Sequence, residues 1–262
     1  MKKLFAISIV TLAAVLTLGA YACKKAPEQG TLTAEEILQL PKSYEMGEQW
    51  FFPKDFSEVW NYHNGYNPVA VVKGTAISVK YYLGFDDNYD DCSLVEFQID
   101  EVVDEYNTAA LKPGDVITVI PGTYIIFKPN NGNTSDAHIE FFSEKTGLDL
   151  HDPEAFKAAR AAYLANSSED TASHKFELIP KKGVEYEMVL ATEYMYPLQS
   201  GESYTMFVPL ADPRFAFGQE CYFSQYIFPL NEELSYEKLN EKYGFRIETF
   251  GSINEEIAEM FK

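Results

Sequence analysis

The chain has 262 residues and a formal net charge of −19, from 40 acidic against 21 basic side chains. Such a surface repels phosphate backbones and argues against nucleic acid as a partner, while the length is enough for one large domain with its own core. Aromatic residues make up 15% of the chain and fall mostly in short alternating segments, which suits strands better than helices.

Met1, Lys2 and Lys3 precede an apolar run over 4–18, and Ala20-Tyr21-Ala22 precede Cys23. A cationic start, an apolar stretch too short to span a bilayer and small residues at a cleavage point are the pattern of an export signal over 1–22. The mature chain is therefore expected to work outside the cytoplasm. Ala20-x-Ala22 fits ordinary signal peptidase, whereas Cys23 after a small residue resembles the lipobox of bacterial lipoproteins, in spite of Ala20 where that motif usually has Leu. This resemblance implies a diacylated Cys23, the membrane as a partner through that anchor, and residues 23–32 as a polar tether. Plain secretion is the alternative.

The remainder, 33–262, reads as a single β-rich domain. Thr33-Ala34-Glu35-Glu36 is a capping box that opens a short helix stopped by Pro41. Residues 44–64, with Trp50, Phe51, Phe52, Phe56 and Trp60, are aromatic without a period and are expected to pack over the core. A long strand follows over 69–85, with a bulge or bend at Gly74, paired with a strand over 93–103 that places Val95, Phe97 and Ile99 on one face and Glu96, Gln98 and Asp100 on the other. Lys112-Pro113-Gly114-Asp115 is turn chemistry before a third strand over 116–120, with another over 124–128. Residues 129–173 read as a helical insertion, with helices over 138–146 and, from an Asp152 N-cap and Pro153, over 153–165; it is expected to lie outside the main core and add a surface, with Phe141, Phe142, Phe156 and Tyr163 needing cover from the barrel or a partner. Strands resume over 175–179, 186–191, 204–210 and 221–228. The tail holds two short helices, the first bracketed by Ser235 and Gly244 and the second capped by Ser252 with Glu255.

Val-Val-Lys-Gly-Thr at 71–75, Leu-Lys-Pro-Gly-Asp-x-Ile-x-Val at 111–119 and Leu-x-x-Gly-Glu-x-Tyr-x-x-Phe-Val at 198–208 resemble exported bacterial proteins with a netrin-like or metalloprotease-inhibitor-like OB barrel. The resemblance covers about a third of the chain. It implies a closed antiparallel barrel and a binding role without chemistry. That family's inhibitory N-terminal cysteine wedge has no counterpart here, so inhibition is not implied.

Chemistry-bearing residues are sparse. Asp86, Asn88 and Asp90 match the first three ligands of an EF-hand loop, but Asp91 replaces the glycine at the sixth position and Phe97 the glutamate at the twelfth. The expectation is a solvated hairpin loop, with a weak calcium site as the competing reading and no other cofactor. Cys92 and Cys221 either form one disulfide in an oxidising compartment or stay as two buried thiols. Ser235-x-x-Lys238 with Lys145-Thr146-Gly147 stands in the wrong order for a serine β-lactamase or penicillin-binding signature. His138-x-Glu140 lacks the cysteines of a zinc deaminase, and His63, His138, His151 and His174 have no metal spacing. With no Gly-x-Ser-x-Gly, P-loop or dinucleotide fingerprint in the sequence, no catalytic residue is nominated. The sequence leads to a mainly β, OB-like or netrin-like barrel with a helical insertion and a helical tail, acting as a non-catalytic binding module for a protein or envelope ligand. The alternatives are an extracytoplasmic hydrolase assembled from distant strands and a calcium-binding surface protein.

Overall fold

The computed structural model describes residues 30–44, 69–84, 91–105, 111–129, 134–165, 175–191, 195–209, 214–216, 219–223 and 227–247. The export signal, Cys23, nearly all of the aromatic stretch over 44–64, the loop with Asp86, Asn88 and Asp90, and the second tail helix lie outside them. The chain divides into Met1–Thr31, of which only Gly30 and Thr31 are described, and Leu32–Lys262, which carries every element below.

The elements in chain order are α1 (Ala34–Leu38), β1 (Lys42–Tyr44), β2 (Val69–Gly84), β3 (Cys92–Glu105), β4 (Val116–Ile120), β5 (Thr123–Phe127), α2 (Asp136–Thr146), α3 (Pro153–Ala165), β6 (Lys175–Leu178), β7 (Tyr186–Leu190), β8 (Ser203–Pro209), β9 (Arg214–Ala216), β10 (Gln219–Phe223), β11 (Ile227–Pro229) and α4 (Tyr236–Tyr243). The protein is mainly β, its large sheet curled into a half-barrel. That sheet runs β11-β8-β2-β3-β4-β10-β9, with β6 also paired to β2, and a smaller sheet runs β1-β7-β5.

β2 is the spine because its length serves three partners. Along one edge it pairs with β3; along the other, β8 takes residues 69–75 and β6 takes 81–84. The junction between β8 and β6 is closed by the turn before β8: Gly201 donates to the Ala76 carbonyl, the Ala76 amide donates to Glu202, and the Ser200 hydroxyl donates to the Ile77 carbonyl at 2.7 Å.

The sheet curls where the β2–β3 register slips. Val103, Asp100 and Ile77 each lack an opposite number in the ladder, so three bulges fall within one hairpin. Each adds local twist and bends the ribbon. The expected bend at Gly74 coincides with one of these shifts, and its cause is close approach: a Cβ on Gly74 would lie 2.0 Å from the Gln98 carbonyl oxygen and 2.6 Å from the Phe97 ring. The alternation on β3 is as the sequence implies, with Val95, Phe97 and Ile99 fully buried and Glu96, Gln98 and Asp100 exposed.

The Lys112–Asp115 turn is pinned to β3, since Gly114 donates to the Ile99 carbonyl and Ile99 donates to that of Asp115, at 2.7 and 2.8 Å. After β4 the chain leaves the large sheet at Pro121-Gly122 and enters the small one as β5. Gly122 turns this corner with φ +70°, and a side chain there would meet the Met195 sulfur at 2.6 Å.

Two ladders depart from the antiparallel pairing expected for the barrel. β10 lies parallel to β4 and β1 parallel to β7. Parallel neighbours need a long crossover, and here β5 and β7 of the small sheet and both insertion helices lie in sequence between β4 and β10.

The helices also differ from expectation in their burial. Ser135 caps α2 by accepting from the His138 amide at 3.2 Å, so the helix starts two residues earlier than the apolar pattern indicated. Rather than lying outside the core, α2 inserts Phe142, fully buried, into the cluster that holds the β-sheet residues, together with Leu150 from the loop after it and Ala159 from α3. Phe142 meets Phe176 of β6 edge-on at 5.8 Å, and Phe141 meets Phe127 of β5 at 5.5 Å. α1 and α4 are capped as the sequence implies: Thr33 and Glu36 form the reciprocal box, and Ser235 and Gly244 bracket α4.

Candidate functional site

Several sequence motifs acquire local structural roles. The Ser235 hydroxyl accepts from the Lys238 amide as an N-cap, which accounts for Ser235-x-x-Lys238 without any nucleophile. Lys145-Thr146-Gly147 ends α2, with the Thr146 hydroxyl donating to the Phe142 carbonyl at 2.7 Å and Gly147 as the cap. His138 packs its ring on Phe142 at 4.7 Å and on Phe127 at 6.0 Å, while His151 is exposed.

Of the acidic hairpin loop only Asp91 is described, and its carboxylate accepts from the Gly84 amide at 2.8 Å. That bond ties the two ends of the loop together at the neck of the β2–β3 hairpin. No group of three metal-ligating side chains occurs among the described residues.

Cys92 and Cys221 are both buried and are not bonded to each other. The register explains why: Cys221 stands opposite Thr118, and Thr118 stands opposite Glu96, so Cys221 is two strands away from β3 and level with a residue four positions from Cys92. The Lys175 ammonium lies 4.0 Å from the Cys92 sulfur.

The recess that stands apart from these is a groove of about 220 Å³ between α2 and the facing strands β5, β6 and β7. Its floor is apolar, formed by Phe127, Phe141, Leu178 and Tyr186. Glu140, Glu144 and Lys145 of α2 stand on one side of the rim, with Glu177 of β6 and Lys181 just beyond it on the other. The position of each follows from local sequence. Ala137, Glu140, Phe141 and Glu144 recur at helical spacing, so one face of α2 carries both the lid over Phe127 and a pair of carboxylates one turn apart. β6 alternates, sending Leu178 inward and leaving Glu177 exposed at the lip, followed by Ile179, which is 47% exposed.

The floor is held rigid by aromatic packing. Phe127 meets Tyr186 at 5.3 Å and Phe141 at 5.5 Å, and the Tyr186 hydroxyl accepts from the Lys181 amide at 3.0 Å. Burial pushes the Tyr186 phenol up from its ordinary value, the Lys181 bond acting against it. The Lys145 ammonium sits over the Phe141 ring, 5.5 Å from its centroid. Glu140, Glu144 and Glu177 take part in no ion pair among the described residues. An apolar floor beneath unneutralised charges can hold and orient a ligand, and it presents no nucleophile beside a base.

Sequence reasoning treated Phe141 as needing cover and passed over Glu140, Glu144 and Glu177. The i, i+4 pair of glutamates on α2 was a readable signal, whereas the approach of β6 and β7 to that helix depends on long-range pairing. No family model, curated protein or solved structure matches this chain.

Proposed function

We propose that the chain is an exported, non-catalytic binding module, anchored to a membrane by a diacylated Cys23 and engaging its partner through the groove beneath α2. The curled sheet is the scaffold, in the manner of the OB-like or netrin-like barrel implied by the resemblance, and the insertion supplies the recognition surface. The groove is the observation that carries this reading: it has an apolar, aromatic-lined floor and a charged rim, the ordinary composition of a recognition site. Anchoring rests on the sequence around Cys23, since acyl chains contribute about 0.8 kcal/mol per buried CH₂ and a second signal or chain makes attachment stable.

Two measurements test it. Wild-type protein is expected in the membrane fraction and Cys23→Ala in the soluble one; an unmodified Cys23 at the mature N-terminus by mass spectrometry overturns the anchor. For the groove, Ile179→Asp places a charge on its exposed lip, whereas Leu230→Asp, at a site 52% exposed, lies outside its lining. Capture of a partner from envelope extract is expected to be lost with Ile179→Asp and kept with Leu230→Asp. Equal capture by both variants removes the groove from the account.

A further inference from the structure

We infer that the groove beneath α2 seats a cationic side chain, lysine or arginine, presented by a basic, apolar-flanked segment of a partner protein; this rests on the binding reading above. Three observations fix the chemistry of the occupant. The first is size. At about 220 Å³ the recess is smaller than the 300–1,000 Å³ usual for a whole small-molecule ligand, and it matches one large side chain.

The second is charge. Glu140 and Glu144 stand one helical turn apart on α2 and Glu177 faces them from β6, so three carboxylates with no ion pair among the described residues surround an apolar floor. Like charges at i, i+4 disfavour a helix, and an incoming cation relieves that repulsion. The net charge of −19 adds a long-range field that steers basic partners toward the protein.

The third is the floor. Phe127, Phe141 and Tyr186 make the floor aromatic, and a ring beside an ammonium or guanidinium is attractive. The protein already uses this contact, with Lys145 over Phe141. Lys145 and Lys181 leave the rim with one net negative charge. Lys145 keeps its charge over the Phe141 ring, and the Lys181 contact seen at the floor is made by its backbone amide, so three carboxylates stand against two ammonium groups.

The test uses the full mature chain and a short blocked peptide alternating lysine with leucine and phenylalanine, with a second peptide carrying glutamate at each lysine position. Binding is read by fluorescence anisotropy at low and physiological salt. The lysine peptide is expected to bind and the glutamate peptide not. The triple variant Glu140→Gln, Glu144→Gln, Glu177→Gln, whose side chains are isosteric and exposed, is expected to weaken binding about tenfold. A control triple, Glu232→Gln, Glu233→Gln, Glu237→Gln, removes the same charge away from the groove and is expected to change it less than twofold. Equal weakening by both triples shows that only the overall charge attracts the peptide and overturns the inference, as does absence of binding by the lysine peptide. Binding of the glutamate peptide that is lost with Ile179→Asp overturns the cationic occupant and keeps the groove as a binding site, so the two readings fail separately.

Discussion

At the scale of single residues, Gly74 and Lys42 show how close contacts fix this fold. Gly74 has no room for a methyl group because the β3 main chain crosses over it, with the Gln98 carbonyl where a Cβ would stand. Gly74→Ala must push apart the most extensive ladder in the molecule, and we expect a loss of about 2–3 kcal/mol in chemical denaturation, at the upper end for overpacking. Lys42 links the two ends of the domain. Its ammonium donates to the Leu38 carbonyl at the end of α1 and, at 2.6 Å, to the Tyr243 carbonyl at the end of α4, with the Phe245 ring 4.5 Å away. Burial pushes its pKa down to about 8 from 10.5, while two carbonyls at helix C-termini favour the cation. Lys42→Met should cost about 1–2 kcal/mol through the two acceptors left without their donor. The folded pKa is the lower one, so wild-type stability relative to Lys42→Met should rise as pH goes from 8 toward 10.5 and be least below 8. Parallel denaturation series at several pH values check both the size and the sign.

The buried tyrosines set the alkaline limit. Burial raises the phenols of Tyr81, Tyr196, Tyr204 and Tyr236 above their ordinary value of 10. A raised folded pKa means that the stability these groups contribute is complete below pH 10 and is lost as pH climbs beyond it. Tyrosinate absorbance is therefore expected to appear for these residues together with the loss of circular dichroism. A titration that runs to completion while the fold persists would contradict their burial. Glu36 acts in the opposite direction at the surface: its carboxylate accepts from the Lys182 ammonium and the Thr33 amide, which hold it down at about 2, so its contribution is present above 4.5 and lost as pH falls toward 2.

At the scale of elements, α2 is where structure and sequence differ most usefully. Its Phe142 is fully buried against Phe176 of β6, and Phe141 covers Phe127 of β5, so the helix completes the core between the two sheets as well as shaping the groove. Replacing 129–173 with a Gly/Ser linker would uncover those strands. The entropy of the shorter loop changes little, whereas the lost apolar contacts amount to several side chains worth about 1.5–3 kcal/mol each. We expect the deletion variant to show dye-binding exposed apolar surface and a broadened thermal transition. The milder Phe142→Ala should fold with a loss of about 3–5 kcal/mol. A deletion variant that unfolds cooperatively at the wild-type temperature would return the insertion to a surface role.

At the scale of the whole molecule, what could be read from the sequence is what local chemistry decides. Alternation located β3 and its faces, Thr33 with Glu36 and Ser235 with Gly244 set helix ends, and Lys112-Pro113-Gly114-Asp115 located the turn before β4. What escaped is what distance decides. The parallel ladders β4–β10 and β1–β7 join segments with no local signal for each other, and two of the three bulges fall at Val103 and Ile77, where no glycine advertises them. The groove escaped for the same reason, because its floor draws on β5, α2, β6 and β7, which only the fold brings together.

The central claim is that this groove is where the molecule meets its partner, and a photo-reactive amino acid placed in the full chain in intact cells tests it most directly. Set at position 144 on the rim, it is expected to yield a discrete adduct with an envelope protein on illumination, and the same group at position 232, on the exposed surface elsewhere, is expected to yield none. Adducts of the same pattern from both positions, or none from position 144, would contradict the account.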